Sequence, residues 1–157
     1  MKALLGIIIS VLIIWGGCKL FSNSGETVAE YSQRIEKELN VELADPGHQV
    51  RKYIEAAHGT VTVKSANVSA ISVRTKDDSD NAGKNGSNVR EVKVTIITYW
   101  DGIFHKNGYT EFAINFDMSA KEPRVKEYDI VKTNAQINMA DPKFWYSVGV
   151  AIGTLLL

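Results

Sequence analysis

The sequence predicts an α+β domain, in which two N-terminal helices pack on a curved antiparallel meander of about four strands. Two amphipathic stretches with helix-start signals come first. After Gly59 the apolar residues change from a period of about 3.6 to a period of about 2, and turn dipeptides separate the later stretches. The chain of 157 residues has room for one such domain, with an apolar segment at each chain end.

Both predicted helices have start signals. Thr27 is an N-cap residue, and Glu30 completes a capping box with it. The apolar stripe of this first helix consists of Val28, Tyr31, Ile35 and Leu39. Asp45-Pro46 combines an N-cap residue with a proline at the first helical position, so we expect a second helix from Pro46 that stops at Gly59.

The first predicted strand and a polar loop follow Gly59. Val61 and Val63 alternate with threonines, and the apolar phase slips between Ser65 and Val68, which predicts a bulge or break there. Residues 76–88 are almost entirely charged residues, Asn, Ser and Gly. We expect them to form a polar, mobile loop.

Two longer strands, residues 89–100 and 109–118, form the centre of the predicted sheet. Their inward positions are Val92, Val94, Ile96, Trp100, Phe112, Ile114, Phe116 and Met118. Asp101-Gly102 and Asn107-Gly108 are strong turn dipeptides, so a hairpin loop joins the two strands.

A last strand begins at Pro123 and completes the meander. The order of two helices followed by long strands resembles that of cystatin-like and NTF2-like exported domains. The resemblance is one of shape alone, because neither class has a sequence motif that this chain matches. It implies a curved sheet with the helices on one face.

Acidic, imidazole and aromatic side chains crowd together around the hairpin. The candidate pocket residues are Tyr99, Trp100, Asp101, His105, Tyr109 and Phe112. Asp101 and His105 have the residue types of an acid–imidazole general base, which would suit a pocket between the helices and the sheet. Asp101 also precedes Gly102, where a turn-forming side chain is expected, and this turn interpretation is the favoured one.

The chain begins with a segment typical of an export signal. Lys2 precedes a 12-residue apolar run, residues 3–14, which small residues follow. Gly16-Gly17-Cys18 resembles the cleavage box of bacterial lipoproteins, in which a cysteine after small residues is lipidated and becomes the new N-terminus. The resemblance covers the first 18 residues and implies lipidation at Cys18.

An uncleaved anchor is the competing interpretation of residues 1–21. Residues 3–21, whose one charged side chain is Lys19, would form a helix about 28 Å long, close to the ~30 Å of a bilayer's hydrocarbon core. Either way, residues 22–142 are an exported domain on the extracytoplasmic side of a bacterial cell membrane or outer membrane. In a third interpretation, Cys18 is an inert buried thiol.

Residues 143–157 are predicted to form an apolar C-terminal helix. Asp141-Pro142 repeats the helix-start signal, and residues 144–157 contain no charged side chain. A helix of this length, about 21 Å, is too short to span a bilayer. The expected contact residues are Phe144, Trp145, Gly149 and Gly153. They would meet the membrane, a protein partner or a second copy; the alternative is packing on the domain's own sheet.

Composition and motifs exclude several classes of function. The 18 basic and 18 acidic residues balance, which argues against a nucleic-acid partner, and one cysteine leaves no intrachain disulfide. The three histidines, His48, His58 and His105, are not spaced as metal ligands. A calcium-binding loop over residues 78–89 would need Glu at its twelfth position, where this chain has Val89. We therefore expect neither a metal nor a cofactor. His58 is expected to be a cation near a helix C-terminus.

The sequence therefore favours a membrane-anchored, non-enzymatic accessory or interaction module of a bacterial envelope assembly. The absence of a catalytic residue set and the apolar segments at both ends of one domain support this expectation. Enzyme status stays open, because scattered residues can assemble a pocket. The alternative is a small-ligand-binding protein or an enzyme with a pocket between the helices and the sheet.

Overall fold

The computed structural model describes residues 25–58, 61–104, 106–134 and 142–157, without the side chains of Ala57 and of residues 142–147. The elements in these ranges are β1 (Glu26–Thr27), α1 (Val28–Ala44), α2 (Gln49–His58), β2 (Thr62–Thr75), β3 (Asn81–Gly83), a 3-10 helix (Lys84–Gly86), β4 (Val89–Asp101), β5 (Gly108–Asp117), β6 (Arg124–Thr133) and α3 (Pro142–Gly153). The described strands β2, β4, β5 and β6 form an antiparallel sheet in that order, and β1 pairs with β3. The predicted α+β class is confirmed.

Helix α1 has the start and the buried face that its sequence predicts. The Thr27 hydroxyl accepts the Glu30 N–H at 3.2 Å, and the Glu30 carboxylate accepts the Thr27 N–H at 2.9 Å, so the capping box is complete. The buried residues of α1 are Tyr31, Ile35, Leu39 and Leu43. They join the inner face of the sheet in one hydrophobic core.

Helix α2 begins later than the sequence predicts. Asp45 is the C-cap of α1, and the first residue of α2 is Gln49. The Asp45 Oδ1 atom accepts the Gly47 N–H at 2.8 Å, and its carbonyl accepts the His48 N–H at 3.0 Å. The Asp-Pro-Gly sequence therefore closes a turn between the helices, because Asp and Pro favour turns as strongly as helix starts. The prediction of Asp45 as an N-cap is wrong.

The polar stretch 76–88 contains regular structure where the sequence suggests a mobile loop. It includes β3 and the 3-10 helix, and its Ala82 is fully buried. The Asp77 carboxylate accepts hydrogen bonds from the Ser79 hydroxyl at 2.7 Å and the Asn88 amide at 2.8 Å, which lower the pKa of Asp77 to about 2. Side-chain hydrogen bonds of this kind order a loop that has little apolar surface.

The sheet confirms the predicted inner face and the irregularity in β2. The register of β2 against β4 shifts between Val63 and Ser65 and again between Val68 and Ala70, on either side of the predicted slip. Strands β4 and β5 pair without interruption from Glu91 to Trp100. The eight residues that the sequence places inward on these two strands are all buried.

Helix α3 begins at Pro142 and packs on the domain's own sheet. Val148, Ile152 and Leu156 are fully buried in the common core. The buried Tyr31 hydroxyl of α1 donates a hydrogen bond to the Leu156 carbonyl, and burial raises the pKa of Tyr31. Among the described residues, no helix has the length and apolar character to cross a bilayer. Of the predicted alternatives for this helix, self-packing is the arrangement seen.

The two glycines of α3 allow a direct test of this packing. A Cβ atom at Gly149 would lie 2.2 Å from Cγ2 of Val125, whereas the nearest atom to a Cβ at Gly153, in Pro123, would be 3.4 Å away. We expect Gly149→Ala to destabilise the protein, because overpacking costs about 1–3 kcal/mol and the alanine gains at most ~1 kcal/mol of helix propensity. Gly153→Ala should be neutral or slightly stabilising. Urea unfolding of the full-length variants checks this, and equal losses would contradict it.

Candidate functional site

The structure divides the predicted pocket residues between the two faces of the sheet. Tyr99 and Tyr109 are cross-strand partners on the outer face. Trp100 and Phe112 are buried on the inner face, at 3% and 2% exposure. Successive residues of a strand point to opposite faces, so Tyr99 and Trp100 cannot line one pocket. His105 lies outside the described residues.

A polar cluster that sequence reasoning missed lies on the inner face beside Trp100. The His58 Nε2 atom is 2.9 Å from the Thr98 hydroxyl, and the Trp100 indole donates a hydrogen bond to the Thr110 hydroxyl at 3.0 Å. Thr98 and Thr110 are fully buried. The sequence did contain a signal for this cluster, because the alternation of each strand places its threonine on the inner face. A buried threonine needs a hydrogen-bond partner.

The imidazole of His58 is buried rather than a cation near a helix end. Its Nδ1 atom donates to the Ile54 carbonyl at 2.8 Å, which identifies the proton-bearing nitrogen because a carbonyl can only accept. Burial lowers the pKa of His58, and the hydrogen bond to Ile54 opposes that shift in part. The expectation of a charged His58 is therefore wrong at neutral pH, and the residue acts as a structural link between α2 and the sheet.

We expect acidification to destabilise the protein through His58. The unfolded chain takes up a proton near the ordinary histidine pKa of 6.5, whereas the folded chain does so only at a lower pH. This stability contribution is complete above about pH 6.5 and is lost as the pH falls from there to the lowered folded pKa. The free energy of unfolding, measured from about pH 7.5 down to about pH 5, should fall less steeply for His58→Gln than for the wild-type chain. Identical slopes would contradict the assignment.

The loop between β4 and β5 presents two apolar side chains to solvent. Ile103 is 77% exposed and Phe104 is 99% exposed; we call these two residues the hairpin tip. Asp101 holds the base of the loop, since its carboxylate accepts the Asn107 N–H at 2.8 Å and pairs with Lys64 at 2.8 Å. These contacts lower the pKa of Asp101, and the hydrogen bond from Lys64 has the largest effect. Asp101 therefore stabilises the loop at its base, which is the role that the turn interpretation gives it.

The hairpin tip lies at the opposite end of the sheet from both described chain ends. The connection from β2 to β4 leaves Thr75 and returns at Val89, and its Asp80 carbonyl accepts the Val28 N–H at the start of α1. The hydrogen bond from Tyr31 places Leu156 at that same end. Strand β4 extends 13 residues from there to Asp101, roughly 43 Å at about 3.3 Å per residue.

The remaining predicted site residues belong to the two apolar chain ends. Cys18 lies outside the described residues, as do the side chains of Phe144 and Trp145. Gly149 faces Val125 and Ile114, and Gly153 faces Pro123 and Phe116, all within the same domain.

The part of the chain that is described contains no group of three or more His, Cys, Asp and Glu residues that could hold a metal ion. Comparison with protein-family models, with curated proteins and with solved structures gives no match to this chain. Among the described residues, the most exposed large apolar side chains are those of the hairpin tip.

Proposed function

We propose that this chain is a membrane-anchored, non-enzymatic interaction module of a bacterial envelope assembly, and that it contacts a protein partner through the hairpin tip. The exposure of Phe104 carries the proposal. A phenylalanine that is 99% exposed gains almost nothing from folding, whereas its burial in a partner would contribute roughly 1.5–3 kcal/mol. Exposed apolar side chains that lie together at a rigidly held loop are typical of binding surfaces.

The anchor in this proposal is the N-terminal segment, residues 1–21. It acts either as a lipoprotein signal that ends in lipidated Cys18 or as an uncleaved helix, and residues 22–142 face the extracytoplasmic side of the cell membrane or the outer membrane. The lipobox-like Gly16-Gly17-Cys18 and the apolar run before it support this. Metabolic labelling with a fatty-acid analogue distinguishes the two anchors. A lipidated chain takes up the label and loses it in Cys18→Ser, whereas an uncleaved helix is not labelled at Cys18.

The position of the hairpin tip favours a protein partner over the anchoring membrane. The described chain begins at the sheet end that holds Val28, and the tip lies at the other end, roughly 43 Å along β4 at about 3.3 Å per residue. An anchor that precedes residue 25 therefore allows the tip to extend away from the lipid surface. A partner with an apolar pocket of one or two side chains would complement it.

The finer description of the fold belongs to the same proposal. A cystatin-like or NTF2-like shape is supported by the two helices that precede the sheet and by the register shifts that bend β2. Helix α3 adds a third helix to the sheet, in the self-packing arrangement that the sequence analysis gives as the alternative for this helix.

We expect Phe104→Ser to abolish the complex while leaving the fold intact. An exposed substitution changes the free energy of unfolding by no more than about 0.5 kcal/mol, whereas loss of a central apolar anchor costs binding more than about 1 kcal/mol. Val41→Ser is the matched control, because Val41 is 66% exposed but lies on α1, away from the hairpin. Native gel electrophoresis of solubilised membranes should show a smaller species for Phe104→Ser only. Identical migration of both variants would contradict the proposal.

Small-ligand binding is the second candidate function, and one observation favours it. A cleft of about 400 Å³, lined by ionisable and aromatic side chains, opens between the helices. Its volume is within the range of small-molecule sites, about 300–1,000 Å³. It differs from the pocket that the sequence suggests, because its lining residues come from helices and from the turn between them rather than from the sheet.

A further inference from the structure

The cleft lies where the end of α1, the start of α2 and the last turns of α3 meet. We call it the helical cleft, and the residues that matter to its chemistry are Glu42, His48, Gln49, Tyr53, Val150 and Ala151. It is separate from the hairpin tip, which is at the distal end of β4. Ligand binding in the helical cleft is therefore independent of the proposed partner contact.

Glu42 and His48 form a carboxylate–imidazole pair at the cleft. The Glu42 Oε2 atom is 3.5 Å from the His48 Nδ1 atom, and Nδ1 is shielded from solvent, with no hydrogen-bond partner within the described residues. The His48 side chain is still 39% exposed, so part of the imidazole is open to a ligand in the cleft.

The electrostatics of the helical cleft favour a cation. The Glu42 side chain is only 19% exposed, and burial raises the pKa of its carboxyl group, with His48 opposing the shift. The neighbouring Glu38 adds negative charge. No lysine or arginine is found among the described residues that line the cleft. A bound ammonium group would favour the ionised form of this half-buried carboxylate.

The apolar part of the cleft selects an organic cation rather than a bare ion. The Tyr53 ring, Val150 and Ala151 line it, and an aromatic face attracts an ammonium group. The Gln49 amide donates to the Tyr53 hydroxyl at 2.9 Å, which holds the ring in place. A ligand with an alkyl or aromatic body would bury that body against these three residues.

We propose that the helical cleft binds a small primary amine in its ammonium form. The ammonium group pairs with the Glu42 carboxylate beside His48. The body of the ligand packs on the Tyr53 ring and the two aliphatic residues of α3. Free amines and phosphoethanolamine head groups share the ammonium chemistry, and the cleft discriminates against the second because no lysine or arginine among its described lining residues meets a phosphate.

The test is a calorimetric titration of the full-length chain with 2-phenylethylamine as the probe. We expect binding to the wild-type chain and at least about tenfold weaker binding by 2-phenylethanol, 3-phenylpropionate and phosphoethanolamine. Glu42→Gln should weaken amine binding by about tenfold or more. Glu36→Gln is the matched control, because Glu36 is exposed on the same helix and does not line the cleft. It should change the affinity by no more than about twofold.

Tyr53→Leu provides a second variant that leaves the charges in place. It should weaken amine binding by at least about threefold through loss of the ring face. Three results would overturn the proposal: no heat of binding at about 10 mM amine, equal binding of 3-phenylpropionate, or equal losses in Glu42→Gln and Glu36→Gln. The circular dichroism spectrum of each variant is compared with that of the wild-type chain, so that a loss of binding is assigned only to folded protein.

Discussion

Ile152→Ala is expected to lower the free energy of unfolding by about 2–5 kcal/mol. Ile152 is fully buried in the core that α3 shares with the sheet and α1. Truncation to alanine removes the transfer free energy of the lost methyl and methylene groups, and it leaves a cavity that the surrounding side chains fill only in part. A loss of this size approaches the whole stability of a small domain, which is about 5–15 kcal/mol.

Val150→Ala is the matched control for this prediction. Val150 is on the same helix but is 50% exposed, so its truncation should cost less than about 1 kcal/mol. Urea denaturation of the full-length chain, followed by circular dichroism, gives both values. If the two variants lose the same stability, α3 does not belong to the domain core, and contact with lipid or with a second copy becomes the better account of this helix.

Arg51→Met is expected to cost about 3–5 kcal/mol of stability. Arg51 is only 4% exposed, and its guanidinium donates to the Leu43 carbonyl at 3.0 Å, to the Val63 carbonyl at 2.7 Å and to the Glu55 carboxylate at 2.8 Å. It therefore links the end of α1 and the start of β2 to α2. Methionine fills a similar volume but leaves two carbonyl oxygens and a carboxylate without their donor.

The control for Arg51 is its neighbour, Lys52→Met. Lys52 is exposed on the same helix, so the same type of substitution should change stability by no more than about 0.5 kcal/mol. Arg51→Lys should recover only part of the loss, because an ammonium group cannot reach three acceptors in the fork geometry of a guanidinium. Full recovery by lysine would show that charge alone, and not the hydrogen-bond pattern, supports this junction.

The parts of the fold that the sequence predicts well are those set by local signals. The capping box at Thr27 and the stripe that contains Tyr31 and Ile35 define α1 without any knowledge of its neighbours. The alternation in β4 and β5 is equally local, because a strand half-buried on one face must alternate. These features hold since nearby residues and the shared core favour the same conformation.

The parts of the fold that the sequence predicts poorly depend on contacts between distant elements. Helix α3 is apolar all round, which suggests lipid, yet it contacts α2, β5 and β6 in the folded domain. A short helix covered on several sides needs apolar residues on several sides. Asp45 is a second case, because the same Asp-Pro sequence suits a turn or a helix start, and the turn that joins α1 to α2 selects the first.

Prediction from the sequence is limited in the same way at the candidate site. Tyr99 and Trp100 are adjacent in sequence but face opposite sides of the sheet, so crowding along the chain did not produce a common pocket. The cluster of His58 with Thr98 joins a helix end to a strand 40 residues away. The helical cleft likewise forms only when α3 closes against the turn that carries His48.

The central claim is that the hairpin tip is the partner-binding surface of a membrane-held domain. Its most direct test replaces Phe104 with a photoreactive amino acid in the full-length chain and irradiates intact cells, with Val41 replaced in the same way as the reference. We expect a discrete protein adduct in the membrane fraction from position 104, absent from position 41 and lost when Ile103 is changed to serine. Adducts of equal yield from both positions, an adduct with lipid alone, or none from position 104 would contradict the claim.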